Sequence, residues 1–124
     1  AVKATLGQLS NCDYSELAAR GERFRSGIER AFAASEVSAT TSGYGTVFNV
    51  WFSQAAPESY VEATDKLDER RSLALHEALR PRGLIAMPSP YRRMHFFFAH
   101  YDATVDEMAR TSWEAAVAMT RSSL

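Results

Sequence analysis

The side chains with the greatest potential for catalysis or metal binding are few: His76, His95, His100, Lys3, Lys66 and Cys12. His95 and His100 are close in sequence, but residues five apart on a strand point to opposite faces, which disfavours a shared metal centre. Cys12 is the only cysteine, so no internal disulfide or cysteine-based zinc site can form, and we interpret it as a small apolar residue. The chain contains no phosphate-binding glycine loop, no H-E-x-x-H motif and no nucleophile elbow. An independent active site built from His95, His100 and the arginines is therefore the weakest hypothesis.

Composition limits the class of protein. A chain of 124 residues, with 46% hydrophobic and 23% charged residues, is typical of one soluble globular domain, so we treat residues 1–124 as a single domain. The net charge of -1 argues against nucleic-acid binding. No apolar run reaches the roughly 18 residues of a membrane span, and we expect a cytoplasmic protein. The first residue is Ala1, and no capping signal precedes the helix-favouring start, which favours a piece of a longer chain.

Any site must be positioned by the predicted helices and strands, and a helix over residues 14–32 is the first long one. Asp13 and Glu16 have the spacing of a capping box, and apolar residues then recur on one face, where Gly21 permits a close approach. We predict an edge strand at 38–42, a turn at 43–45 and a central strand at 46–52. One face of that central strand carries Val47, Asn49 and Trp51.

Paired strands and helices alternate in the remainder of the sequence. We predict a helix over 64–79 with its leucines inward, short strands at 84–87 and 94–100, and a helix over 104–121. His76 lies within the first of these helices and is interpreted as a surface or half-buried residue, and Trp51 and residues 96–98 are expected in the core. The order favours an α+β fold with a small antiparallel or mixed sheet of about four strands and helices packed on one face.

Three stretches carry a family resemblance. Residues 43–48, GYGTVF, are similar to G-x-G-S-M-F, and residues 82–91, RGLIAMPSPY, are similar to R-G-V-Y-L-x-P-S-x-F. Residues 99–100 and 107–111 resemble the A-H-T-x-E-D-I-D-x-T segment that leads into a final helix. In this order the stretches resemble the carboxy-terminal small domain of class III pyridoxal-phosphate-dependent aminotransferases, and above all of glutamate-1-semialdehyde aminomutases.

The resemblance implies that this chain is one part of a larger enzyme. In that family a large domain holds pyridoxal 5'-phosphate through a lysine, and the small domain closes over the active site. The amino-terminal segment and the large domain are absent from this sequence, so we expect this piece to bind no cofactor, to contain no catalytic residue and to be inactive by itself. The parent's partners would be an amino-acid or amino-aldehyde substrate, the large domain and a second subunit of a homodimer.

The candidate substrate-binding residues implied by the resemblance are Arg92 and Arg93. In the aminomutases a glutamate follows the aromatic residue of P-S-x-F, and here Arg92 stands at that position, which favours an aminotransferase for a carboxylate substrate over the aminomutase. A guanidinium could bind the carboxylate through two hydrogen bonds. The alternative is that both arginines form a solvated turn. A second hypothesis for the whole chain is a free-standing α+β binding module without catalysis.

Overall fold

The computed structural model describes residues 1–88, 93–95 and 100–122. Its helices and strands are α1 (Val2–Ser10), α2 (Tyr14–Ala34), β1 (Thr40–Tyr44), β2 (Val47–Trp51), α3 (Tyr60–Asp65), α4 (Glu69–Leu79), β3 (Met94–His95) and α5 (Asp102–Ser122), with a 3-10 turn at Arg80–Arg82. The three strands form an antiparallel sheet in the order β1-β2-β3. The predicted α+β class is confirmed, and β2 is the central strand as expected.

Helix α2 begins where the sequence predicts. The Asp13 side chain accepts a hydrogen bond from Glu16 N at 3.0 Å, which satisfies one of the free N–H groups of the first turn. Its apolar face buries Phe24, Ile28 and Phe32, each no more than 3% exposed. Because these residues recur every four positions, a single stripe of the helix supplies one side of the core.

Helices α2 and α5 run parallel, side by side. Near their amino ends, Arg20 Nε lies 3.1 Å from Asp102 Oδ1. Near their carboxyl ends, Thr120 Oγ1 donates a hydrogen bond of 2.7 Å to Ser35 O. Fully buried Val105 and small core residues of α5 complete the contact. The predicted final helix is confirmed, although it begins at Asp102 rather than at residue 104.

The β1–β2 hairpin lies unusually close to α2 at its turn. The strands continue to Tyr44 and Val47, so the turn is Gly45 and Thr46 rather than the predicted 43–45. Gly45 has φ +55°, a left-handed conformation that glycine adopts without a steric penalty. A Cβ added to Gly21 would lie 2.4 Å from Gly45 O, so the predicted close approach at Gly21 is confirmed. The backbones of helix and turn are therefore in direct contact.

Polar side chains of α2 also bind the outer edge of β1. Glu29 Oε1 accepts hydrogen bonds from Thr41 N at 2.9 Å and from Thr41 Oγ1 at 2.6 Å. Arg25 donates to Gly43 O at 2.8 Å. These contacts provide partners for Thr41 N and Gly43 O, two backbone groups of β1 that do not point towards β2.

The predicted helix over 64–79 is wrong in its extent. The structure has two helices there, α3 and α4, separated at residues 66–68. Ser59 caps α3 by accepting from Glu62 N at 3.2 Å, and Asp68 caps α4 by accepting from Arg71 N at 2.9 Å. Leu73 was predicted to point inward but is 45% exposed, because it lies two residues before the buried Leu75 and so on the opposite face of α4.

The predicted strand at 84–87 is also wrong. This segment has no regular secondary structure, and its backbone is held by α4 instead of by a strand. Leu84 N donates to Leu79 O at 3.3 Å, and Ala86 O accepts from His76 Nδ1 at 2.5 Å. Within the predicted strand 94–100, residues 94–95 form β3, whereas 96–99 lie outside the described residues, as do the phenylalanines predicted for the core. Trp51, 7% exposed, is buried as expected.

Candidate functional site

The sheet face opposite α2 carries the candidate site. Alternation along the hairpin directs Phe48 and Val50 towards α2, where the ring of Phe48 meets that of Phe24 at 5.9 Å. The opposite side, here called the outer face, carries Ser42 and Tyr44 of β1 and Val47, Asn49 and Trp51 of β2. Cross-strand partners on this face are Ser42 with Asn49 and Tyr44 with Val47. A groove of about 470 Å³ follows the outer face.

One wall of the groove is rigid and aromatic. Trp51 Nε1 donates a hydrogen bond of 2.8 Å to Ser42 Oγ, which fixes the indole across the two strands. Tyr44, at the turn end of the groove, is 89% exposed. An aromatic residue with most of its surface in solvent offers a flat apolar contact with a polar tip, the chemistry that binding surfaces use.

Arg93 supplies the positive charge of the groove. It is exposed, lines the groove, and directly precedes β3, whose Met94 pairs with Phe48. Extending that antiparallel register by one residue places Arg93 beside Asn49 on β2. A guanidinium is permanently charged and presents five N–H donors in a planar fork. Arg93 can therefore bind a carboxylate or phosphate that enters the groove.

Asn49 is the second polar group at this point. Its Oδ1 is buried and has no hydrogen-bond partner among the described residues. Buried polar atoms are normally satisfied, and an unsatisfied acceptor can receive a hydrogen bond from a water or another donor group. Together, Asn49 and Arg93 offer an acceptor and several donors within one groove.

The other candidate from the sequence, Arg92, lies outside the described residues. The alternation along the central strand predicts Val47, Asn49 and Trp51 on one face. It does not predict that Ser42 and Tyr44 of the neighbouring strand lie on the same face. Their alignment depends on the hairpin register, and the predicted turn at 43–45 was displaced by one residue. A turn at Gly45 and Thr46 pairs Ser42 with Asn49, so a correct prediction of the turn would have placed Ser42 on the outer face.

The remaining reactive side chains do not build a cofactor or metal site in the described ranges. Lys3 is exposed on α1, and Lys66 Nζ lies at the surface, 3.6 Å from Glu62 Oε2. Neither is the desolvated lysine that covalent binding of an aldehyde cofactor requires, so these residues do not fit pyridoxal phosphate. Among residues 1–88, 93–95 and 100–122, no cluster of three metal-binding side chains occurs. No described helix is both long and apolar enough to span a membrane.

Comparison with known proteins relates this fold to one family. The glutamate-1-semialdehyde 2,1-aminomutase of Thermoplasma volcanium is 32% identical over 115 residues, which are 93% of this chain and 27% of that protein. The enzyme of the same name from Thermoplasma acidophilum is 28% identical over 87% of the chain and 24% of its own length. The chain thus spans about a quarter of the relatives that it matches. No protein-family model matches it.

Solved structures agree with the sequence relatives. An omega-transaminase from Sphaerobacter thermophilus superimposes with a TM-score of 0.66 at 22% identity, over 87% of this chain and 24% of that structure. A beta-phenylalanine aminotransferase from Variovorax paradoxus has a TM-score of 0.68, also at 22% identity, over 79% of this chain and 22% of that structure. In sequence the chain is similar to glutamate-1-semialdehyde 2,1-aminomutases, and in fold it is similar to class III transaminases. It corresponds to the carboxy-terminal domain of these enzymes, and the resemblance found in the sequence is confirmed.

The outer face combines the indole of Trp51, the guanidinium of Arg93 and the Asn49 amide oxygen, which has no partner among the described residues. Its shape and charge suit an anionic group attached to an apolar body, because the aromatic wall and the cation lie on the same groove. The groove can bind and orient such a molecule. Lys3 and Lys66 do not line the groove.

Proposed function

We propose that this domain is part of a longer pyridoxal-phosphate-dependent aminotransferase or aminomutase and that Arg93, with Arg92, binds the carboxylate of its substrate. The observation that carries this proposal is the position of Arg93. Its exposed guanidinium lines the outer-face groove together with Trp51 and Tyr44. The family relationship supports an enzyme that uses an amino compound as substrate.

The contribution of this domain to catalysis is binding and orientation. The cofactor, held elsewhere in the longer protein, would supply the electron sink for amino-group chemistry. Arg93 would hold the substrate carboxylate through paired N–H donors, and such charge-assisted bonds are about twice as strong as neutral ones. Trp51 and Tyr44 would exclude water from one side of the groove. An aminotransferase is favoured over an aminomutase because Arg92 replaces the glutamate of the aminomutase pattern.

Steady-state kinetics of the full-length enzyme test the carboxylate role. We expect Arg93→Ala and Arg92→Ala each to raise KM for a carboxylate substrate by roughly 10-fold, equivalent to about 1.4 kcal/mol, while kcat changes less. Arg70→Ala, which removes an exposed arginine from α4 away from the groove, is the matched control. An unchanged KM in both arginine variants would contradict the proposal.

An absorption spectrum separates the enzyme from the alternative of a free-standing binding module. We expect the purified full-length protein to show the visible band of lysine-bound pyridoxal phosphate and the 124-residue chain to lack it. A native protein without this band, and without a catalytic lysine outside the present sequence, would favour the binding module. The outer face would then be the candidate ligand-binding surface of that module.

A further inference from the structure

Residues 84–87, which precede Arg93 in the chain, make few contacts with the other described residues of the domain. In residues 84–87, Ile85 is 81% exposed and Met87 is 52% exposed, whereas Ala86 between them is 9% exposed. Among the described contacts, the segment therefore packs against the core through the methyl group of Ala86 and through the partly buried Leu84. Burial of so little apolar surface holds a backbone weakly. Its position depends on polar contacts.

The contact at the centre of the segment comes from His76 on α4. Its Nδ1 lies 2.5 Å from Ala86 O. A carbonyl oxygen can only accept, so Nδ1 must carry a proton and donate it. The histidine is half-buried, which limits competition from water for this bond. Leu84 N, bound to Leu79 O, is the second backbone attachment to α4.

The base of the segment is fixed independently of His76. Arg82 donates a hydrogen bond of 2.6 Å to Ala78 O, and its Nε lies 3.6 Å from Glu114 Oε2 on α5. These contacts hold the 3-10 turn that follows α4. They end at Arg82, so beyond Leu84 the described attachments of the segment are the His76 bond and the Ala86 methyl group.

The segment and Arg93 face the same interior space. A second cavity, of about 260 Å³, is lined on one side by residues 84–87 and on another by Arg93, Met94 and His95. Pairing with β2 fixes Met94 and His95. The His76 bond holds the backbone of residues 84–87, which line the same cavity. Arg93 therefore shares a cavity with a segment that His76 anchors.

We propose that His76 is a positioning residue: by donating a hydrogen bond to Ala86 O, it holds the 84–87 segment in the place that orients Arg93 for the substrate carboxylate. This inference rests on the proposed function, because it gives Arg93 a substrate. His76 touches neither substrate nor cofactor in this role. Its effect passes through the backbone of residues 84–87.

The test combines kinetics with hydrogen exchange on the full-length enzyme. His76→Leu removes the donor, whereas His76→Asn keeps an N–H group at a similar reach. We expect His76→Leu to raise KM for the carboxylate substrate roughly 3- to 10-fold, with kcat and the cofactor absorbance unchanged, and His76→Asn to restore most of the loss. Glu77→Ala, at the exposed neighbouring position, is the control. Peptides covering residues 84–95 should exchange roughly 10-fold faster in His76→Leu.

Three results would overturn the inference. The first is a wild-type NMR spectrum in which His76 Nδ1 carries no proton, a measurement that needs no variant. The second is unchanged exchange of residues 84–95 in His76→Leu, which would mean that the bond does not hold the segment. The third is faster exchange with an unchanged KM, which would mean that the segment does not orient Arg93.

A double-mutant cycle distinguishes failure of the positioning role of His76 from failure of the proposed carboxylate role of Arg93. If His76 acts through Arg93, His76→Leu should add less than about 2-fold to KM in an Arg93→Ala background. If Arg93→Ala by itself leaves KM unchanged, the carboxylate role of Arg93 and the positioning role of His76 are both refuted. If Arg93→Ala raises KM and His76→Leu raises it by the full factor in both backgrounds, the carboxylate role stands and the positioning role is refuted.

Discussion

Substitution of Gly21 by alanine tests the contact between α2 and the hairpin turn. An added Cβ would lie 2.4 Å from Gly45 O, 2.9 Å from Gly45 C and 3.2 Å from Thr46 Cα. All three are backbone atoms, so no side-chain rotation relieves the clash. The turn must move away from the helix. That movement also weakens the hydrogen bond from Gly45 N to Glu22 Oε1, 3.1 Å long in the structure.

The expected change in the free energy of unfolding follows from three terms. Forced overpacking costs about 1–3 kcal/mol. Loss of the Glu22 bond adds about 1 kcal/mol, and the better helix propensity of alanine returns about 1 kcal/mol. The net destabilisation of Gly21→Ala is therefore about 2 kcal/mol, a fall in Tm of about 6–10 °C for a domain of this size.

Thermal and urea unfolding, followed by tryptophan fluorescence, measure this difference. Gly27→Ala on the same helix is the matched control, because its Cβ would meet Ala109 Cβ at 3.4 Å, close to an ordinary contact. We expect that variant to be neutral or more stable by up to about 1 kcal/mol. If Gly21→Ala proved as stable as Gly27→Ala, the close packing of α2 on the turn would be refuted.

Three further experiments test other contacts. Glu29→Ala should lower the free energy of unfolding by about 1–2 kcal/mol, because Thr41 N loses its partner, and the urea midpoint should fall with an unchanged slope. A double-mutant cycle of Arg20→Gln with Asp102→Asn should give a coupling below about 1 kcal/mol that diminishes in high salt; a larger, salt-independent value would contradict an exposed ion pair. Phe32→Ala should cost about 3–5 kcal/mol, and a smaller loss would place Phe32 outside the core.

Local signals in the sequence predicted the long helix well. Helix α2 has both a capping residue, Asp13, and a sustained apolar stripe, so propensity, capping and burial agree. The break between α3 and α4 was missed although its signals are present. Ser59 and Glu62 have capping-box spacing, and Asp68 caps α4. Leu67, within the break, has helical spacing with the buried leucines Leu75 and Leu79 of α4, and this spacing favours one continuous helix.

Long-range contacts explain the other differences. Residues 84–87 are apolar enough for a strand, but a strand needs a partner, and the bond from His76 to Ala86 holds this backbone on α4 instead. The sequence cannot show which partner a backbone will have. Arg93 was found through family resemblance, whereas its alignment with Asn49 required the register of β2 with β3. A register is a property of two strands and cannot be read from one.

The polar contacts between α2 and β1 determine in which direction the sheet can be extended. An exposed edge strand invites pairing with other chains, which is a route to aggregation. On β1, Thr41 N is bound to Glu29 and Gly43 O is bound to Arg25, so two of its backbone groups already have partners. An additional strand on the β1 side would have to displace both charged side chains. The side chains of α2 thus oppose strand exchange between molecules on the β1 side.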